Sequence, residues 1–420
     1  MNQVSAGFAP PWAGRDGLRI TAVRAIVTAP EGIPLVVVRV DTSEPGLYGL
    51  GCATFTQRFA AVVAAVETHV AGLVVGRHPA DIGDITRAVH FSGYWRGGPV
   101  LNSALSGVDH ALWDIAGKRA GMPVYELLGG RVRAAVPVYT HASGATIEEV
   151  VEQARSFVGE GYRHVRLQVG QPGLGTYGAP GTPGGYTRSP HPDGWDVEHY
   201  LATTPELFAH ARAELGETPS LLHDVHHRLT PKQAVVLARR LEPYRLFFLE
   251  DVIPAEHYDR LPEVRAASPA PIAVGEQLGS VADAARLVTS GGVDFLRLHT
   301  SAVGGLSPTV KLAALCELSG VRTAFHSPAD VSPVGVAANL SVDVSSAAFG
   351  IQEAHTYNDA THEVFPGTPV VAEGHLAVSD APGWGVDLDE REAAKYGPTT
   401  HLFERWALQV RRPDGSLEAP

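Results

Sequence analysis

Asp224, Glu250 and Glu276 stand 26 and 26 residues apart, and each closes a short apolar run. One strand with its following helix fills such an interval. The spacing therefore predicts three carboxylates on adjacent strands at one end of a parallel sheet. Three acids held together repel, and each raises its neighbours' pKa. A divalent cation removes that repulsion, and ligation by oxygen alone suits Mg²⁺ or Mn²⁺ rather than Zn²⁺. A single acid at a strand end more often pairs with an arginine or caps a helix; three in register point to a site. Other polar residues also end predicted strands: His141, Arg166 with Gln168, Arg297, His326 and Glu353, while His226 lies two positions past Asp224. Each alone reads as a satisfied structural residue as readily as a functional one. Their convergence on one face favours function, because catalysis in barrels is built at the C-terminal ends of the strands. Alternation along a strand turns His223 and His227 away from the side that His226 takes.

The elements that must hold these residues follow from pattern. Residues 20–55 read as three strands, with β-branched runs over 20–29 and 34–42 and a Pro/Gly turn at 45–49. Helical patterns follow over 58–75 and 102–120, the second stopped by Gly121–Pro123. Residues 1–132 thus read as an α+β domain. From 135 onward short apolar strands alternate with helices, at 136–141, 165–168, 221–224, 246–250, 272–276, 295–298, 323–326 and 350–353. Eight such units close a (β/α)8 barrel. The rival, a doubly wound open sheet, would carry a Gly-rich phosphate turn after its first strand, and none is present. Residues 170–196 hold 13 Gly or Pro in 27 positions. This long connection after the second strand reads as a lid or wall of the site. The tail from 385 on reads as a short helix over 389–396 and then an extended stretch.

Composition narrows the classes of function. The 420 residues carry a net charge of −12, which offers no electrostatic footprint for nucleic acid or an anionic membrane. There are 29 Arg but four Lys (Lys118, Lys232, Lys311, Lys395), and no Lys ends a predicted strand. Cys52 and Cys316 are too few for a disulfide framework or a four-thiolate zinc site. No uncharged apolar run reaches membrane-spanning length, and the first residues lack the basic and apolar regions of a signal peptide. The expectation is a cytoplasmic enzyme.

The segments HDVHHRLTP (223–231), FLEDVIPAE (248–256), AVGEQLGS (273–280), FHSPADVSPV (325–334) and FGIQEA (349–354) resemble the mannonate dehydratase branch of the enolase superfamily. So do SGYWRGGPV (92–100), ALWDIAGKRAGMPVYELLGG (111–130), VYTHASG (138–144), RLQVGQPGLGTYG (166–178) and GWGVDLDEREAAKY (383–396), in order along nearly the whole chain. The resemblance implies an α+β capping domain (1–132), a TIM-like (β/α)7β barrel (133–384) and a tail (385–420) that packs back towards the cap. It implies Mg²⁺ on Asp224, Glu250 and Glu276, which would hold the carboxylate of an acid sugar. A base would take the adjacent proton and a general acid would protonate the departing 3-hydroxyl, giving a 2-keto-3-deoxy sugar acid.

Most of the superfamily uses a lysine as base; here the base resembles Tyr177 beside Arg166, whose guanidinium favours the phenolate. His226 matches the general acid. His141, Gln168, Arg297, His326, Asp330 and Glu353 match substrate contacts, although Glu353 could instead be a structural acid paired with Arg297. Thr56, on the loop that reaches from the cap towards the barrel mouth, stands where the branch's dehydratases carry Asn. The loop before Tyr177 is one residue short, and 354–361 and the extreme C-terminus diverge. These departures touch the sugar end, so the substrate stays open between D-mannonate, D-gluconate and a near relative. A racemase or epimerase, with His326 as second base, and a weakly active regulatory member are the alternatives. The resemblance also implies a homo-oligomer.

Overall fold

The computed structural model describes residues 16–172, 194–398 and 411–417. Its first layer is an antiparallel sheet of β1 (Ile20–Thr28), β2 (Leu35–Thr42) and β3 (Tyr48–Cys52), in that order. Alternating Val and Ile give β1 and β2 one face for a core, and the long helix Pro99–Ala120 covers it. That helix starts three residues before the expected position, because Pro99 sits at its first turn, where the missing N–H costs nothing. Gly121 ends it in the left-handed conformation. Helix and sheet touch backbone to backbone: a Cβ on Gly51 would fall 1.9 Å from the Gly107 carbonyl, and one on Gly49 would fall 1.9 Å from that of Ala111.

The second unit is a barrel. Its strands are β4 (Val136–Gly144), β5 (His164–Val169), β6 (Ser220–Asp224), β7 (Phe248–Glu250), β8 (Ile272–Val274), β9 (Phe295–Leu296), β10 (Arg322–Thr323) and β11 (Gln352–Glu353). They pair in parallel in chain order from β4 to β10. Closure comes from β11 pairing with β4 and from the parallel bridge of Thr323 with Phe349. Each predicted strand is present; β4, β5 and β6 run longer than expected and the other five are shorter. Among the described residues seven helices lie between the eight strands, so the architecture is (β/α)7β rather than the (β/α)8 that strand counting alone suggests. After β11 the chain makes a short helix (Asp359–Val364) and the hairpin of β12 (Val371–Ala372) and β13 (His375–Leu376), which adds antiparallel to β4.

Side chains of Tyr139, Leu222, Phe248, Ala273, Phe295, Ala324 and Ile351 fill the barrel interior, while the strands' other faces pack on the helices. Helix starts are well capped: Thr146 and Thr230 form capping boxes with Glu149 and Gln233, and Ser280 and Ser332 accept from the third residue beyond. The two units meet along a polar seam. Asp109, on the long helix, accepts from the backbone N–H and hydroxyl of Ser307, and so caps the barrel helix Leu306–Ser319 from outside. The tail helix Glu390–Ala393 returns to the small sheet, where Glu390 pairs with Arg24 and Arg39. No helix among the described residues is long and apolar enough to cross a membrane.

Candidate active site

Short strands and abrupt turns place the chemistry. Asp224 and Glu250 are register partners on β6 and β7, so their carboxylates leave the barrel at one level. Glu276 follows two residues past β8, after Gly275. That glycine adopts φ +141° and packs against the backbone of Arg297, a conformation and a closeness that a side chain would disturb. Asp251 extends the series at φ 44°.

Two buried guanidiniums organise these acids. Arg166 on β5 donates to Glu250 Oε1 at 2.5 Å and lies 3.4 Å from Asp224 Oδ2 and 3.5 Å from Glu353 Oε1. Arg297 is wholly buried. It reaches Glu276 Oε2 at 2.9 Å, Glu353 Oε2 at 2.7 Å, Glu250 Oε1 at 3.0 Å and Asp251 Oδ2 at 3.3 Å, and also donates to the Tyr139 hydroxyl. The sequence set Arg297 among substrate contacts; the structure places it beneath the carboxylates with its donors engaged. Glu353, 1 % exposed, is its structural partner. Tyr139 in turn donates to Glu250 Oε2.

The histidines divide by what faces their ring nitrogens. His326 has Glu276 Oε2 3.1 Å from Nδ1 and Asp330 Oδ1 3.5 Å from Nε2. Burial disfavours its charge, but these acids outweigh burial and hold the imidazolium well above the usual range. His227 gives Nδ1–H to the Ile253 carbonyl and turns Nε2 to Glu276 Oε1 at 3.3 Å. Burial again opposes charge, but Asp251 and Glu276 raise it to about 9. Alternation had turned His227 away. In fact β6 ends at Asp224, and both His226 and His227 adopt left-handed φ, 54° and 63°, so strand alternation no longer applies. His223 does face outward. It accepts from the Tyr200 hydroxyl and gives its other N–H to the Leu167 carbonyl, the pattern of a neutral ring.

His226 donates its backbone N–H to Asp224 Oδ1 at 2.6 Å, and burial with Arg228 pushes its imidazole down to about 3. His141 lies 2.9 Å from Glu353 Oε1 and 3.1 Å from Arg166, and burial lowers it to about 4. Gln168 donates to the Asp224 carbonyl at 3.2 Å. Thr56 is buried in the cap, in a turn over Thr56–Arg58, and its hydroxyl makes no hydrogen bond among the described residues. Tyr177 and most of the 170–196 connection lie outside the described residues.

Asp224 Oδ2 and Asp251 Oδ1 are buried and accept no hydrogen bond among the described residues, although Arg166 lies 3.4 Å from the first and His227 3.7 Å from the second. Asp224, Glu250 and Asp251 bring one oxygen each within 4.8 Å of one another, and Asp251 is likewise grouped with His227 and Glu276. A buried ionised oxygen without a hydrogen bond, as at Asp224, is costly, and a hard divalent cation is the partner this all-oxygen donor set fits. The sequence reading missed Asp251, His227, Tyr139 and His299. The last stacks on His326 with ring centroids 5.1 Å apart. The acidic pair Glu250–Asp251 was the one available signal; the others depend on turns and cross-barrel contacts.

A capping α+β unit over a barrel with an acid cluster at the strand ends defines a class of enzyme, and the family models agree. Residues 16–129 match the mandelate racemase / muconate lactonizing enzyme N-terminal domain, and residues 149–393 match the enolase C-terminal domain-like family. A D-galactonate dehydratase family member of Catenulispora acidiphila is 75 % identical over 98 % of this chain and 96 % of its own length. RspA of Pantoea ananatis, also named a D-galactonate dehydratase family member, is 47 % identical over 96 % of this chain and 100 % of its own. A crystal structure of an enolase from Pantoea ananatis with bound D-gluconate and Mg superposes with a TM-score of 0.90, at 47 % identity, covering 96 % of this chain and 100 % of that one. The chain belongs to the enolase superfamily and, within it, to the D-galactonate dehydratase family, a family of hydro-lyases.

Proposed function

We propose that the enzyme dehydrates a sugar acid of the D-gluconate or D-mannonate class to its 2-keto-3-deoxy product with Mg²⁺. The observation that carries this reading is the group of buried carboxylates at the strand ends, with Asp224 Oδ2 and Asp251 Oδ1 accepting no hydrogen bond among the described residues. The relative with D-gluconate and Mg bound supports it. Asp224, Glu250 and Glu276 would hold the ion, and Asp251, whose oxygens lie near Asp224 and Glu250 on one side and Glu276 on the other, would share its field. When bound, Mg²⁺ supplies the positive charge that holds the substrate carboxylate and favours an enediolate.

The chain's own groups move the protons. Tyr177, five residues past Pro172, takes the proton from carbon 2 as a phenolate favoured by Arg166. The electron pair then expels the 3-hydroxyl, which takes a proton from the His226 imidazolium and leaves as water. The enol that remains tautomerises to the ketone. With no substrate charge nearby His226 is held neutral; a bound carboxylate and the developing enediolate raise its proton affinity when the proton is needed. His326 and Asp330 face the sugar hydroxyls, with His141 and Gln168 on the opposite strands. Thr56, a shorter side chain than Asn, sets the fit at the far end of the sugar. Arg297 and Glu353 balance charge below the site. The division at 132/133 and 384/385 and a cytoplasmic homo-oligomer complete this reading.

A panel of acid sugars incubated with enzyme and Mg²⁺ tests it. A 2-keto-3-deoxy product is expected, and Tyr177→Phe should lower kcat about 10²–10⁴-fold. Exchange of the carbon-2 proton in deuterated water with no keto product would overturn dehydration in favour of racemisation.

A further inference from the structure

A cavity opens at the end of the barrel opposite the carboxylates. His164, Ser220, Phe295 and Arg322, which line it, are the first residues of β5, β6, β9 and β10. Its volume is about 580 Å³, within the range of small-molecule pockets. Three guanidiniums line it, those of Arg212, Arg245 and Arg322, against one carboxylate, Glu217.

The three differ in their partners. Arg212 is pinned by the Tyr244, Pro219 and Gly216 carbonyls at 3.0, 2.8 and 3.1 Å, so its charge is fixed in place; its nearest acid is Glu217 at 4.0 Å. Arg245 pairs with Glu217 at 2.5 Å. Arg322 forms no ion pair or side-chain hydrogen bond among the described residues. The positive charge of the cavity is therefore only partly answered by protein. Beside it lies an aromatic wall. The rings of Phe247 and Phe295 stand 5.4 Å apart, and His164 meets Phe247 edge-on at 4.7 Å. The Nδ1 of His164 is buried and has no hydrogen-bond partner among the described residues.

We infer that this lower cavity is a binding site for a small organic anion, with a phosphate or carboxylate head on Arg322 and Arg245 and a flat apolar body on Phe247 and Phe295. A planar guanidinium offers paired donors to either head group, and an aromatic wall prefers an aromatic or similarly flat partner. His164 supplies a further polar contact. With a chain charge of −12 the surroundings repel polyanions, so a small ligand fits where a nucleic acid does not. The site is separate from the carboxylate mouth and does not depend on which reaction occurs there.

Titration calorimetry on the Mg²⁺-loaded enzyme tests this with phenyl phosphate and benzoate as probes and inorganic phosphate, a head group without the apolar body, as the comparison. Phenyl phosphate or benzoate is expected to bind more tightly than inorganic phosphate, and the tighter of the two identifies the head group. Binding should persist in excess D-gluconate, which occupies the mouth. Arg322→Gln should weaken binding about tenfold, the value of one lost charge-assisted contact. Arg245→Gln should weaken it in the same direction, while Arg96→Gln on the cap surface should not change it. Dehydration should proceed unchanged in Arg322→Gln. Displacement of the probe by D-gluconate, equal affinity in Arg322→Gln and the parent, or no binding of either aromatic probe at millimolar concentration would overturn the proposal.

Discussion

Arg297 touches four carboxylates and a tyrosine with no exposed surface, and this one side chain sets the electrostatics of the mouth. Five acids are gathered there, Asp224, Glu250, Asp251, Glu276 and Glu353. Burial alone would protonate them. For Glu276 and Glu353 the neighbouring imidazoles and Arg297 win, and their carboxyls are held well below the usual range. For Asp251 burial and the Glu276 charge win, and its carboxyl is pushed well above it. The balance leaves one end of the cluster ionised and paired, and the other in need of a cation. Replacing Arg297 by Met keeps the volume and removes the charge. Breaking one side of a buried ion-pair network costs about 3–5 kcal/mol. Urea unfolding of Arg297→Met should show a loss of that size, and a loss below about 1 kcal/mol would mean the acids rearrange without it.

At the scale of elements, the site depends on how closely the cap lies on the barrel. The long helix can approach β3 because Gly49, Gly51 and Gly107 carry no side chains at the crossing. Its far face then reaches the barrel, where Ser106 donates to the Ser301 carbonyl and Asp109 caps the helix Leu306–Ser319. Ser301 lies four residues after Arg297, so the seam and the charge hub share one stretch of chain. Gly51→Ala should push the helix off the strand, since its methyl would fall on the Gly107 carbonyl. Overpacking of a rigid backbone contact costs about 1–3 kcal/mol. A lowered thermal midpoint is expected, together with a raised KM, because the Thr56 turn follows β3 directly. An unchanged midpoint would show that the helix can slide.

For the whole molecule, acid lability follows from buried neutral histidines away from the proposed metal. Burial pushes His110 down to about 3, and burial with Arg163 pushes His164 down to about 4. Each takes a proton more readily when unfolded, near pH 6.5. Their contribution to stability is therefore complete above about pH 6.5 and is lost as pH falls towards 4. The loss approaches about 1.4 kcal/mol per pH unit for each group. Urea midpoints at pH 7.5, 6 and 5 should fall in that order, and in His164→Leu the fall should be shallower. A midpoint that holds steady down to pH 5 would contradict the burial of these rings.

Sequence alone determined what depends on periodicity and residue type. The strand–helix alternation located all eight barrel strands, because a parallel sheet buried on both faces needs continuous apolar runs. The 26-residue interval brought Asp224 and Glu250 to one level, because one β/α unit separates them. The motif likeness identified the superfamily. Tertiary structure decided what depends on turns and on contacts across the barrel. His227 joins the cluster because β6 ends early in two left-handed residues, which no alternation rule foresees. Asp251 and His299 enter because they sit beyond strand ends, where direction is set by the neighbouring backbone. Arg297 leaves the substrate face because five partners, from β4, β7, β11 and the segments after β7 and β8, converge on it, and only closure of the barrel brings those partners together. The basic cavity at the lower end has the same origin, since its three arginines lie far apart in the chain and meet only when the ring of strands closes.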